Sequence, residues 1–326
     1  MQTIDPKRPA RRWKAALGGL AMLAGVAVMV FGLPDFSGQR LRYETLEELK
    51  PGAAGFPEMR GAFPVETLAR YRVGRGTAGV ELNVAHYRQG QASAIVYPPA
   101  GAAPGEAGLR HDLWQAAAEA IRQHTDGQAL FVAWWDDGQR IRFLSGREPW
   151  LEQPAAAAFP DPEQRQFWRQ AGGGFGADET RARQLARWLG MDADAALAEM
   201  DQVLPKGRPV YWLACLDDLA RLSEIEALGG AKLPFEARVF PAADNIHGQI
   251  AEARRWAGEA GPGAYLAQQL PGGGARVWRI TREAGTKTLL ARLLPFTSSL
   301  AQPLAKLSLV YQSSWGGYLS VYQWQR

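Results

Sequence analysis

The chain has 326 residues, 47% of them hydrophobic, with twelve tryptophans, one cysteine and a formal charge of +4. Lys7, Arg8, Arg11, Arg12 and Lys14 against Asp5 account for all of that charge, so the rest is neutral and carries no nucleic-acid footprint. The lone Cys215 excludes an internal disulfide, a cysteine-based metal centre and a CxxCH haem attachment.

The basic segment 1–14 leads into an uncharged apolar run, Ala15–Leu33, whose nineteen residues make roughly 28 Å of helix, enough to cross a bilayer. A cleavable signal peptide has a shorter apolar region and ends at a small-residue site, and Val30-Phe31-Gly32 is a poor one. The run is therefore read as a retained inner-membrane anchor. The cations before it put the N-terminus in the cytoplasm and the main domain in the periplasm.

Residues 34–62, rich in Pro and Gly, read as a tether with one short helical piece over Glu44–Leu49. Alternating runs at Glu66–Val73, Val80–Tyr87 and Ser93–Tyr97 predict a small β unit over 63–108, its last two strands joined by Arg88–Gln91. From 109 onward helices and strands alternate. Leu113, Trp114, Ala117, Ala118 and Ile121 share one helical face, and ALFVAWW comes next as a buried strand. Asp178 and Asp192 are placed to cap the next two helices. Val210–Cys215 reads as a second buried strand that shields the thiol, with Asp217 capping the helix after it. Phe235–Phe240, a helix over Ile246–Trp256 and strand pairs at Ala264–Ile280 and Leu307–Trp324 complete the chain. The expected class is α/β: an N-terminal transmembrane helix, then a mixed α/β domain over 109–326 with β additions at both ends.

Most candidate chemistry reduces to structure. His86, His111, His124 and His247 lack ligand spacing, and Gly172-Gly173-Gly174-Phe175-Gly176 lacks the Lys-Ser/Thr of a phosphate loop. Asp217-Asp218 suits a helix cap better than a cation, and Trp315-Gly316-Gly317-Tyr318 suits a tight turn. No nucleophile elbow is present, and neither a catalytic residue, a metal nor a cofactor is expected.

The most specific segment is Trp134-Trp135-Asp136-Asp137-Gly138, at the carboxyl end of a predicted strand, where α/β sheets place ligands. Two indoles beside a carboxylate suit a small hydroxyl or amide group. The plain alternative is aromatic core packing, with the DDG making a turn.

This segment resembles the WWDYG motif in the soluble domain of the oligosaccharyltransferase catalytic subunit. The likeness extends to LWQAAAEAIRQHTDGQALFVA before it, GQRIRFLSGREPW after it, PVYWLACLDDLARLSEI, LLARLLPF and LSLVYQS, covering about residues 110–235 and 289–324. The resemblance implies a pocket of Trp134, Trp135 and Asp136, joined by Arg221 and Ile225 from an element that also holds Asp218. Such a pocket grips the hydroxyl of a Ser/Thr acceptor sequon. Asp137 replaces the motif tyrosine and Arg221 stands where lysine is usual. With one expected span there is nowhere to hold a lipid-linked donor, so transferase activity is not expected.

The whole layout, with WWDDGQRIRFLSG and the ending SLVYQSSWGGYLSVYQW, also resembles the HaoB family of hydroxylamine oxidation-associated proteins. That resemblance implies a non-catalytic, membrane-anchored periplasmic accessory protein whose partner is a multihaem oxidoreductase. The alternative is a sequon-type peptide-binding or glycosylation-related domain working with a separate membrane subunit. It requires the two indoles to face a cavity, and fails if they are buried without one.

Overall fold

The computed structural model describes residues 41–326 except 55, 57–59, 76–77, 89–90, 97–106, 177–178, 243–244 and 271–272. The expected anchor Ala15–Leu33 and the cap Asp178 lie outside the described residues. Among the described residues no helix is long and apolar enough to cross a membrane.

Four antiparallel strands in simple succession, β1 (Leu41–Leu49), β2 (Val65–Arg75), β3 (Ala78–Arg88) and β4 (Gln91–Val96), form an N-terminal sheet. The three alternating runs are strands as expected, Tyr97 of the last lying outside the described residues. The helical reading of Glu44–Leu49 is corrected: it is strand, so the sheet begins inside the stretch read as a tether. ETLEEL has the composition of a helix, but β2 offers it a full antiparallel partner, Leu41↔Arg75 to Leu49↔Leu68. Arg70 pairs with Glu47 across the strands, and Tyr43 reaches Phe167 at 5.5 Å between centroids. Tertiary pairing overrides weak local preference.

The rest is built on a five-stranded sheet in the order β11-β12-β7-β5-β6, comprising β5 (Leu130–Val132), β6 (Glu148–Pro149), β7 (Val210–Cys215), β11 (Leu307–Gln312) and β12 (Leu319–Trp324). β5 runs parallel to both β6 and β7, and β12 runs antiparallel to β7. Every residue of β5 and β7 is buried, which explains their unbroken apolar sequences. A three-stranded sheet, with β10 (Ala275–Ile280) between β8 (Phe235–Phe240) and β9 (Tyr265–Gln269), adds to the C-terminal part.

Helices α1 (Ala107–His124) and α2 (Trp135–Ser145) flank β5 in sequence. Then come α3 (Pro162–Ala171), α4 (Thr180–Gly190), α5 (Ala193–Val203) and α6 (Leu222–Gly229). Asp192 caps α5 as expected, accepting from the backbone N–H groups of Asp194 and Ala195. Asp217 does not cap. Instead Asp218 closes a short 3-10 turn, Leu216–Ala220, by accepting the Cys215 N–H at 3.0 Å. Asp217 accepts from the Tyr318 hydroxyl at 2.5 Å. Helix α7 (Ile246–Gly258) comes after β8, as expected, and α8 (Leu289–Leu293) and α9 (Thr297–Ala301) precede β11. The link after β11 is a helical turn, α10 (Ser314–Gly317), in place of the expected tight turn.

The decisive placement is that of α2. It contacts α1, β5 and β6, and also β4 of the N-terminal sheet, so all of its residues but Arg142 are buried. Tyr87 of β3 packs on Phe143 at 5.0 Å, while Tyr43 and Tyr71 close on Phe167 of α3. Gly138 lets α2 approach the chain beyond β6: a Cβ there would lie 1.9 Å from the Leu151 carbonyl oxygen. Gly138→Ala is therefore expected to prevent folding or to cost several kcal/mol, in the range of severe overpacking. Gly258→Ala, with nothing near its Cβ position, is expected to be neutral or slightly stabilising. Urea unfolding monitored by tryptophan fluorescence would compare the two.

Candidate functional site

The central sheet has a topological switch between β5 and β7. From β5 the chain passes through α2 to β6 on one side, and it later returns to β7 on the other. Connections therefore diverge at the carboxyl ends of these two strands, the usual place for a crevice in an α/β sheet. Two segments meet there, Ala133–Gly138 after β5 and Leu216–Arg221 after β7. Trp134 is the N-cap of α2, and Asp136 and Asp137 fall in its first turn, where the helix dipole favours negative charge. The DDG thus opens a helix and is not a free turn.

Instead of a crevice, these segments form a closed ionic cluster. The indole N–H groups of Trp134 and Trp135 both donate to Glu224 Oε2, at 3.2 and 3.0 Å. Arg221 donates to Glu224 Oε1 and to Asp136 Oδ2, each at 3.0 Å. Arg140 donates to Asp136 Oδ2 at 3.2 Å and pairs with Asp137. The Arg221 guanidinium also lies over the rings of Trp135 and Trp168, 5.6 and 5.1 Å from their centroids, and Arg140 lies over Trp114. Trp134 and Trp135 are 2% and 1% exposed, Ile225 is fully buried, and Arg221 alone keeps a solvent edge, with 18% of its side chain exposed.

All five residues expected at the site are thus on adjoining elements, and four of them share one hydrogen-bonded network. Ile225 contributes apolar burial beside Glu224 in the sequence. Sequence reading missed Glu224 and Arg140. Both had a signal: Arg140 stands three and four residues beyond the two aspartates of a helix, and Glu224 stands three beyond Arg221.

Four buried carboxyls, Asp136, Asp137, Asp218 and Glu224, face two guanidiniums. Burial pushes the Asp136 carboxyl up, but Arg221 and Arg140 together hold it below its ordinary value. Asp137 is raised well above its ordinary value by burial and by the adjacent Asp136, because one guanidinium cannot neutralise two carboxylates. Burial lifts Asp218 to about 7, and it lifts Glu224 against the pull of Arg221. The Cys215 thiol is pushed well up by burial and then by Asp137, so it stays protonated and unreactive. Near neutral pH Asp218 is thus partly protonated, which brings the buried charge of the cluster toward balance.

Chemically, this arrangement is a lock. Both indole donors are spent on Glu224, and both guanidiniums are engaged by carboxylates. Among the described residues no group of His, Cys, Asp and Glu side chains converges as a metal site requires.

Fold and cluster together define a mixed α/β protein in which a WWD helix is sealed between the central sheet and an added N-terminal sheet. The family model for the HaoA-associated protein HaoB matches residues 14–324, and the chain belongs to that family. Solved structures similar to it include the crystallised C-terminal domain of C. jejuni PglB. That domain is 10% identical and aligns over 65% of this chain and 99% of its own, at a TM-score of 0.37. No curated protein matches the chain.

Removing the Glu224 carboxylate strands two buried indole N–H groups and leaves Arg221 short of a partner. Glu224→Ala is expected to cost about 3–5 kcal/mol, the range for breaking a buried ion pair, and Glu224→Gln less. Guanidinium unfolding curves measure both. The raised Asp218 carboxyl binds its proton more tightly folded than unfolded. Its contribution to stability is thus complete below pH 4 and is lost as pH rises toward and through about 7. Asp218→Asn, a neutral mimic of the protonated acid, is expected to flatten the fall in Tm between pH 5 and pH 8, as read by calorimetry.

Proposed function

We propose that this protein is a non-catalytic, membrane-anchored accessory protein that works beside a periplasmic multihaem hydroxylamine-oxidising enzyme and binds it through the folded domain. The family match over residues 14–324 carries this reading, because it spans all but the last two of the described residues and names an association with HaoA. The closed cluster supports it, since a site whose donors are all satisfied internally has a structural task. The apolar run Ala15–Leu33 behind its five cations supplies the anchor, with the domain exported. Anchoring raises the local concentration of two proteins confined to one surface, so a weak soluble interface suffices.

The sequon-type alternative needs an open indole wall. The two indoles are buried and both N–H groups are bound to Glu224, which argues against that reading.

The test is co-purification of the tagged full chain from detergent-solubilised membranes of cells that express it natively. A stoichiometric partner with haem absorbance is expected. Recovery of the chain alone, or with partners that lack haem, would overturn the proposal.

A further inference from the structure

Helix α7 covers the three-stranded sheet with one side only. Its Ala253, Trp256 and Ala257 are buried, and Trp256 packs with Phe240 and Val277 in a small core separate from the main one. At about 100° per residue, Ile246 and Ile250 fall on a flank of the helix, outside that buried side. They are 58% and 43% exposed, and with Arg254 they stand one turn apart along a single line. That line continues off the helix. Arg254 Nε donates to the Tyr265 hydroxyl at 3.2 Å, and the Tyr265 backbone N–H donates to the Thr297 hydroxyl, also at 3.2 Å. Thr297 opens α9, where Leu300, one turn on, is 67% exposed. Three of the five large apolar side chains exposed among the described residues thus lie on two helices pinned to one residue of the edge strand β9.

Single exposed apolar residues are ordinary, but such residues gathered along one band mark a contact surface. The charge beside them is one-sided. Arg254 lies about 40° around the helix from Ile250, and exposed Arg255 follows on the outward side. Glu252 lies about 200° around from Ile250, on the opposite flank. Glu236 and Glu259 are both taken by Arg279, whose guanidinium lies over Trp256 at 4.3 Å. The band is therefore apolar with a cationic border. A second copy of the chain would set one cationic border against another. A membrane would need the apolar side of α7, which the sheet already occupies.

We infer that the band from Ile246 through Tyr265 to Leu300 is where the protein partner docks, and that it fits a surface with an apolar hollow rimmed by carboxylates. This rests on reading the chain as an accessory protein that binds an enzyme, and adds which surface binds and what the partner presents to it. The two isoleucines are stiff at χ1 and lose little freedom on being covered, which suits them as anchors. The exposed arginines steer an acidic rim toward them.

The tagged full chain and its variants, expressed in cells that make it natively, can be solubilised in detergent and scored for haem absorbance recovered per chain. Ile246→Ser with Ile250→Ser is expected to lower recovery roughly tenfold or more. Arg254→Glu with Arg255→Glu is expected to lower it at low salt and less at high salt. Val203→Ser, at an apolar position on α5 that is 46% exposed, is expected to leave it unchanged, and circular dichroism should be the same for all. Full recovery with the isoleucine variant, where the unaltered chain brings down a haem protein, overturns the surface and leaves the accessory reading standing. Full recovery with the arginine variant at low salt overturns the acidic rim. An unaltered chain that recovers no haem overturns the accessory reading, and this inference with it. A benzophenone attached at exposed Ala251→Cys, with buried Cys215 left in place, is expected to crosslink the haem protein in native membranes. Crosslinking to a second copy or to lipid instead overturns a protein partner at this band.

Discussion

Near-complete burial of helix α2 is the constraint to which the rest of this structure answers. A helix between a sheet and solvent can turn its polar residues outward, but α2 turns only Arg142 that way. Its sequence nevertheless begins with two aspartates and continues through Gln139 and Arg140, all buried. An isolated charge in such surroundings costs several kcal/mol, so each must find a partner within the protein. Arg140 serves both aspartates from the next turn of the same helix, and Arg221 and Glu224 arrive from the other side of the switch point. Gln139 reaches the carbonyl of Gly172 at 2.8 Å. The added N-terminal sheet makes these pairings obligatory, because β4 and Tyr87 cover the side of α2 that would otherwise meet water.

The same geometry separates likeness of sequence from likeness of task. Tandem tryptophans and an aspartate at a strand end are suitable materials for a ligand pocket. Here Glu224 takes both indole N–H groups and Arg221 takes the aspartate, so the same materials join β5 to the segment after β7. The raised carboxyls of Asp137 and Asp218 belong to that join. Membership of the HaoB family fits a domain whose closed centre holds its shape while its surface meets a partner.

Much of this was legible in the sequence because it depended on local pattern. The alternation of β2 to β4, the unbroken apolar runs of β5 and β7, and the Asp192 cap each arise from side-chain periodicity or one hydrogen bond. The site segment and its partners Asp136, Arg221 and Ile225 were legible through resemblance. Two kinds of feature were not. β1 looks helical because its glutamates and leucines suit a helix, and only the availability of β2 decides otherwise. Glu224 looks like a surface residue of a short helix, and its burial is set by two indoles some ninety positions earlier. Pairings at that range leave no trace in local periodicity.

That long separation also orders the assembly of the protein. The N-terminal sheet is a meander whose contacts are near in sequence, so it can form as soon as its four strands are available. The seal around α2 cannot, because its last members lie beyond β7, and closing so large a loop is entropically slow. A chain made N-terminus first presents this almost wholly buried helix well before Arg221 and Glu224 emerge to complete its surroundings. During that interval Trp134 and Trp135 lack their acceptor, and Asp136 lacks the second of its two guanidiniums. The sheet that is complete by then packs on the same helix through β4 and Tyr87, giving the unfinished centre a local shelter while the remainder of the chain arrives.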